Sequence, residues 1–278
     1  MTLGLLNINK PSGWTSHDVV ARVRRLAGEK RVGHAGTLDP LAEGVLVVLL
    51  GRATRLADFI QAQRKTYVAE VALGTATSTD DAEGSVTATA PVPSLSGLDA
   101  VVQRFRGDIM QTPPAYSALK VGGQRAYAVA RRGGAVVLQA RPITVYDLQV
   151  LSLEPLRLEV TCSKGTYIRS LARDIAEALG TVGHLEHLLR IRVGPFTLAD
   201  AVTLEHLEVT RSLLPADAAL PDAPVVELAE EDAVRIVNGQ SVACAGLQGD
   251  PVRVYDPNGR LLCIARAQDG FLRPHIQL

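Results

Sequence analysis

The tightest constraint on this chain is a glycine-rich loop that runs without a break into an uncharged apolar segment. Gly33-His34-Ala35-Gly36-Thr37-Leu38-Asp39-Pro40-Leu41-Ala42-Glu43-Gly44 is followed at once by Val45-Leu46-Val47-Val48-Leu49-Leu50. The glycines open backbone angles that a Cβ forbids, and Pro40 drives Asp39 out of the α region toward an extended conformation. The apolar run predicts a strand buried on both faces. A single carboxylate is thereby carried at the mouth of a sheet, on a loop with little freedom, which is how folds present reactive groups. An Asp-Pro step is equally an ordinary turn cap, so this stretch alone leaves both readings open.

Composition narrows the class. The chain has 278 residues, 47% hydrophobic and 21% charged, which suits a globular protein of one to three domains. No apolar run approaches the ~20 residues of a membrane span. Met1-Thr2-Leu3-Gly4-Leu5-Leu6-Asn7 has no charged segment followed by a long apolar one, so no secretion signal is expected. Cys162, Cys244 and Cys263 are odd in number and widely spaced, which points to a reducing cytoplasm and away from a disulfide framework or zinc site. His184 and His187, three apart, would share a helical face, but they lack a third ligand nearby, and no metal is expected. The formal net charge is zero, yet it averages unlike regions. Residues 1–65 hold ten Lys/Arg against five Asp/Glu, residues 101–174 hold eleven against five, and residues 200–234 hold one against nine. A polyanionic partner therefore remains compatible with the sequence.

Periodicity predicts strands over residues 3–9, 45–50, 67–73, 85–89, 136–138, 143–153 and 156–162. Helices are expected after the polar turn at 10–18, with Val19, Val20, Val23 and Leu26 on one face, and over 53–63, 98–105 and, short and basic, 124–132. The clearest helix starts near Tyr167: Ile168, Leu171, Ala172, Ile175, Ala176 and Leu179 share a face and Gly180 stops it. This pattern predicts an α+β fold with a mixed, mostly antiparallel central sheet flanked by helices. Residues 200–224 form an acidic, Pro/Ala-rich bridge, and the hairpin signals beyond it predict a small β-barrel. The expected division is a catalytic unit over 1–222 and a β-unit over 223–278.

Arg169 stands near the start of the Tyr167 helix, where the helix dipole disfavours a cation. It lies off the apolar face, so a carboxylate partner is expected, and Asp39 is the candidate. An exposed arginine at a helix start is the plainer reading. Tyr67 follows Arg64-Lys65, and Tyr167 lies beside Gly165; either ring suits stacking on a base as well as an ordinary boundary position. His34 by itself decides nothing. The chain has no Gly-Lys-Ser/Thr phosphate loop, no Gly-x-Gly-x-x-Gly after a strand and no Gly-x-Ser-x-Gly elbow.

Taken together, Lys10-Pro11-Ser12-Gly13-Trp14-Thr15-Ser16 and Gly33-His34-Ala35-Gly36-Thr37-Leu38-Asp39-Pro40 resemble two signature blocks of the TruB family of tRNA pseudouridine-55 synthases. Tyr67 with Leu73-Gly74, Thr79-Asp80, Pro113-Pro114-Ala115-Tyr116-Ser117-Ala118-Leu119-Lys120, Lys164-Gly165-Thr166-Tyr167-Ile168-Arg169 and Gly194-Pro195-Phe196 continue the likeness in order. The resemblance covers about residues 3–207. It implies a pseudouridine synthase fold with an RNA-gripping insertion around 111–142 and a PUA-like RNA-binding β-domain at the C-terminus. It implies that Asp39 is the essential carboxylate for breaking the uracil N1–C1′ bond and rejoining the base through C5. In the same way it implies that Tyr67 is catalytic, packing on the flipped base and helping to remove the C5 proton, that Arg169 pairs with Asp39, and that His34, Tyr167 and Leu188 hold everted nucleotides. Lys10, Arg132, Arg141 and Arg190 are the implied RNA contacts. No cofactor and no metal are implied. The expected partner is the T-stem-loop of tRNA, bound by a monomer without obligatory protein partners. One departure is Leu188-Leu189-Arg190-Ile191-Arg192, where the family has consecutive arginines. Two rivals stand beside this reading: a non-catalytic RNA-binding protein, and a guide-RNA-dependent synthase of the dyskerin kind.

Overall fold

The computed structural model describes residues 2–117, 119–121, 124–125, 129, 132 and 138–278, with the side chains at 120–121 and 124–125 left out. Its centre is a ten-stranded sheet. Along the main path the order is Val202–Thr203, Gly4–Lys10, Glu43–Leu50, Gly183–Val193, Lys65–Leu73, Leu156–Cys162, Arg141–Leu153 and Gly107–Gln111. Val32–His34 is added beside Glu43–Leu50, and Phe196–Thr197 beside Gly183–Val193. Two pairings are parallel, Gly4–Lys10 with Val202–Thr203 and Glu43–Leu50 with Gly183–Val193, and the others are antiparallel. The sheet is mixed and mostly antiparallel, as the periodicity indicates.

The apolar run after the loop shows why it carries no alternation. Leu46, Val48 and Leu50 enter one core with Val19, Val20 and Val23 of the Ser16–Ala27 helix and Leu171 and Ile175 of the Ile168–Ala178 helix. Val45, Val47 and Leu49 enter a second core, on the other face, with Leu56, Ile60, Phe196 and Leu220. Both faces are covered, so every position is apolar. Truncating Leu46 to Ala would cost about 2–5 kcal/mol. The Ser16–Ala27 helix opens on a capping box: the Thr15 hydroxyl accepts from the Asp18 N–H at 3.1 Å and the Asp18 carboxylate accepts from the Thr15 N–H at 2.9 Å.

The C-terminal β-unit is a separate five-stranded sheet, ordered Val225–Glu227, Gly249–Tyr255, Leu261–Gln268, Phe271–Gln277 and Val242–Ala243. It is joined to the large sheet by packing. Ile264 and Leu278 belong to the second core, and Arg52 and Arg55 donate to the carbonyls of Leu278 and Gln277, each at 3.1 Å.

The sequence reading differs from the structure at several places, among them the edge strand Gly107–Gln111, which it did not expect. Gly183–Val193, which carries His184 and His187, is a strand at the middle of the sheet and not a helical face. The helix Glu230–Val237 has no counterpart in the expected elements. Of the basic helix expected over 124–132, Gln124–Arg125 is a strand paired with Lys120–Val121, and most of the remainder lies outside the described residues. So does most of the strand expected over 136–138.

Candidate active site

The Asp39 loop ends where two backbones nearly touch. Gly44 has φ 99°, and a Cβ there would stand 2.2 Å from the carbonyl oxygen of Arg190. Only glycine lets the loop turn into the Glu43–Leu50 strand at this closeness to the neighbouring Gly183–Val193 strand. Arg190 then reaches under the loop: its Nε donates to Val45 O at 2.7 Å, Nη2 to Gly36 O at 3.1 Å and Nη1 to Thr37 O at 3.4 Å.

Above this floor lies a cleft of about 900 Å³, lined by Asp39, Tyr67, Arg141, Tyr167, Arg169, Leu188 and Arg190 among others. Its volume lies within the ~300–1,000 Å³ of small-molecule sites. The side chain of Asp39 is 38% exposed to the cleft, and its Oδ2 lies 2.9 Å from Nε of Arg169. That Nε makes no aligned hydrogen bond, so the contact is an ion pair. The two terminal nitrogens of Arg169 are spent elsewhere. Nη1 donates to Thr79 O and Nη2 to Tyr116 O, both at 2.9 Å, and Nη1 lies 3.3 Å from the buried Asp81 carboxylate. One guanidinium thus ties three loops together around the exposed carboxylate, with only 6% of its own side chain exposed.

Tyr67 is buried on the Lys65–Leu73 strand, cross-strand from Arg190. Burial pushes its phenol up from the ordinary value of 10, against the nearby Arg190 charge. Tyr167 caps the Ile168–Ala178 helix. The Gln111 side chain holds its backbone from both sides, accepting from its N–H at 2.9 Å and donating to its carbonyl at 3.0 Å. The Arg141 guanidinium lies 5.1 Å from the Tyr167 ring centre, a cation–π distance.

A family model described as TruB family pseudouridylate synthase (N terminal domain) matches residues 24–168. Two C-terminal models of the same family match residues 169–220 and 224–276. This chain belongs to the TruB family. A relative from Thermobifida fusca, named tRNA pseudouridine synthase B, is 45% identical over 99% of this chain and 98% of its own length. A relative of the same name from Geobacillus thermodenitrificans is 46% identical over 85% of this chain and 84% of its own. Among solved structures, a Cbf5-Nop10-Gar1 complex aligns with TM-score 0.75 and 27% identity, covering 99% of this chain and 84% of that one. An H/ACA RNP bound to a substrate RNA containing 2′-deoxyuridine aligns with TM-score 0.74 and 25% identity, with the same coverage.

Of the site residues that membership of the TruB family suggests, most line the cleft and a few do not. Asp39, Tyr67, Arg141, Tyr167, Arg169, Leu188 and Arg190 share the cleft. His34 does not line it; it sits on the Val32–His34 strand, edge-on to His17 with ring centres 5.7 Å apart, and burial lowers its pKa. Arg132 is exposed, and most residues beside it lie outside those described. Lys10 and Arg190, expected as RNA contacts, are both buried, Arg190 at the floor of the cleft. Lys10 is wholly buried, and its ammonium donates to Trp14 O at 2.6 Å, Pro11 O at 2.9 Å and Pro40 O at 3.2 Å. Burial lowers its pKa to about 8, against the raising effect of Glu43 and Asp39. Arg190 is 1% exposed and occupied by loop carbonyls. Both are struts for the Asp39 loop.

Two cleft residues had no signal in the sequence. Asp81 is 4% exposed and shares Arg169 with Asp39, but Thr77-Ser78-Thr79-Asp80-Asp81 reads as an ordinary polar loop. Lys65 lines the cleft with its amine on the carbonyls of Gln61 and Gln63, and burial lowers its pKa to about 8. Among the described residues no cluster of His, Cys, Asp and Glu is arranged to hold a metal, and no helix is long and apolar enough to cross a membrane.

Proposed function

We propose that this chain isomerises uridine-55 in the T-loop of tRNA to pseudouridine, without a cofactor and without obligatory protein partners. The observation that carries the reading is the half-exposed Asp39 carboxylate, aimed into a nucleoside-sized cleft and held by the Arg169 guanidinium at 2.9 Å. A uridine in a folded loop must first leave its stack, at a cost of a few kcal/mol. The N1–C1′ bond then breaks, the base turns, and a C5–C1′ bond forms. C5 gives up its proton and N1 takes one from solvent, so the atoms balance with no change of oxidation state. Three actions are open to the Asp39 carboxylate: attack at C1′, stabilisation of positive charge there, or removal of the C2′ proton. In each of them Arg169 fixes the carboxylate's orientation.

The residues around Asp39 have complementary tasks. Tyr67, whose burial keeps its phenol protonated, packs on the uracil face, which suits a neutral ring better than the role of direct proton acceptor from C5. Leu188 and Tyr167 bound the space beside it. Arg141, half-buried at the rim with its guanidinium beside the Tyr167 ring, meets the RNA backbone.

The test is pseudouridine mapping on tRNA incubated with wild type or Asp39→Asn. Product at position 55 is expected from wild type only, with RNA binding by the variant within a few-fold. A non-catalytic RNA-binding protein would yield no product in either. Wild type should also modify an isolated T-stem-loop hairpin with no guide RNA or added protein; a strict need for either favours the guide-dependent arrangement.

A further inference from the structure

Trp14 is the chain's one tryptophan. It is 37% exposed and belongs to none of the three apolar cores. The turn that carries it is clamped to the loop bearing Asp39. The Gly13 N–H donates to Pro40 O at 2.8 Å, and the Ser12 hydroxyl donates to Leu41 O at 3.1 Å. The buried Lys10 ammonium bridges Trp14 O and Pro40 O. Ser16, two residues further on, donates to Leu38 O at 3.1 Å and accepts from Leu38 N at 2.9 Å. Leu38, Asp39 and Pro40 line the cleft, so the turn that carries the exposed indole has its backbone fixed against the loop forming the cleft's lip. His17, on the helix that follows, is exposed and meets His34 edge-on.

A large apolar ring left outside every core needs a reason, and here its backbone is already ordered. A partner that covers it therefore gains stacking without ordering a loop. An RNA that places one uridine over Asp39 and runs its next nucleotides across this lip brings them to the turn that carries Trp14. An unpaired base stacks on an aromatic ring whatever its identity.

We propose that Trp14 is a substrate-binding residue, stacking on an unpaired base adjacent to the uridine held over Asp39. This rests on the functional reading above, and the two fail separately. The experiment uses the full chain and a T-stem-loop hairpin RNA. Pseudouridine formation by wild type is measured first; its absence sinks the functional reading and this inference with it. Intrinsic fluorescence of Asp39→Asn, which reports Trp14 alone, is then titrated with the same hairpin. A saturable change is expected, abolished in Asp39→Asn/Trp14→Phe. In the active background Trp14→Ala should raise KM roughly 5- to 100-fold while kcat holds, and Trp14→Phe should stay within about 3-fold of wild type. A wild type that forms pseudouridine while the fluorescence of Asp39→Asn stays silent on saturating hairpin overturns the proposal, and so does a folded Trp14→Ala whose KM stays within 2-fold of wild type. The fluorescence arm decides the matter even if the alanine variant folds poorly.

Discussion

In the ten-stranded half of the molecule, Lys10, Lys65, Asp81, Arg169 and Arg190 are buried among apolar side chains. In the five-stranded half, the core is Leu228, Ile236, Val242, Val252, Val254, Leu262, Ala265 and Leu272 with Cys263, and the ion pairs Arg266–Asp250 and Arg235–Asp232 lie half exposed outside it. Among the described residues every buried polar or charged side chain sits at or before Arg190. Burying an ion costs several kcal/mol unless partners compensate it, so the large sheet tolerates a loss of stability that the small one avoids. The buried ions cluster where they fix the Asp39 loop: Arg190 beneath it, Lys10 beside it and Arg169 across the cleft. The small sheet is tied on by Ile264, Leu278 and two arginine-to-carbonyl bonds, contacts through which it can brace the large one.

Arg169→Met should have the largest effect. It removes the partner of Asp39 and leaves Asp81, with 5% side-chain exposure, as an unpaired buried charge. A stability loss of about 3–5 kcal/mol is expected, together with a kcat lowered on the order of 10²-fold or more. RNA affinity should hold within a few-fold, as measured by filter binding. Arg169→Met/Asp81→Asn should regain much of the stability and none of the kcat. A double variant no more stable than the single one would refute the assigned cost.

The next contrast sets one residue of each half side by side. Arg190→Met leaves the carbonyls of Gly36, Thr37 and Val45 without their donor, at about 2–4 kcal/mol. Leu272→Ala opens a cavity in the small sheet's core for about 2–5 kcal/mol. Denaturant titration should show similar losses. Single-turnover kinetics at low temperature should separate them: the displaced Asp39 loop lowers kcat by roughly 10²-fold, and the cavity leaves it unchanged. An equal fall in kcat would end the distinction between site and brace.

What the sequence made legible, and what it hid, follows the same division. Asp39 stood out because a carboxylate before proline follows a glycine-rich loop, and Arg169 because a cation at a helix start needs a partner. Each broke a local rule. The Glu43–Leu50 strand was legible because burial on both faces leaves an unbroken apolar run. Gly183–Val193, the strand between Glu43–Leu50 and Lys65–Leu73, was hidden. It carries two histidines, a glutamate and two arginines, and register shifts at Leu185/His187 and Arg190/Arg192 break its alternation twice. Its polar members are satisfied only in three dimensions. His184 meets Thr75 O at 2.7 Å, and Arg190 finds its acceptors on a loop some 150 residues earlier in the chain. Asp81 was hidden for the same reason, since nothing local distinguishes it from Asp80.

The halves should also answer differently to pH. In the folded chain Lys10 and Lys65 titrate near 8, below their ordinary 10.5, because burial disfavours the ammonium. Between about pH 8 and 10.5 the unfolded chain therefore binds more protons than the folded one, and stability rises with pH. Tyr255, in the small sheet, is pushed up to about 12 by burial and by its hydrogen bond to the Asp217 carboxylate. Its contribution is fully present below pH 10 and is lost as pH rises toward 12. The buried thiols of Cys162 and Cys263, raised from 9 to about 11, and the raised Tyr67 phenol lose stability in the same direction as Tyr255. Stability measured by urea titration should climb above pH 8, level off above pH 9 and fall above pH 10. Lys10→Met should flatten the climb, and Tyr255→Phe should make the fall shallower. A fall equally steep in Tyr255→Phe would remove Tyr255 from the responsible groups.

The smallest effect is also the sharpest test of the brace. Arg266 and Asp250 pair at 2.9 Å with about half of each side chain exposed, and such pairs contribute about 0–1 kcal/mol. Arg266→Gln should therefore leave the urea midpoint nearly unmoved. If the small sheet only supports the large one, KM for tRNA should not move either. If the sheet instead lies against RNA, losing one phosphate-directed cation weakens binding and lowers the salt slope of log Kd by about 1. Binding isotherms at three salt concentrations distinguish the two outcomes, because a structural defect shifts the isotherms equally at every salt while a lost phosphate contact does not.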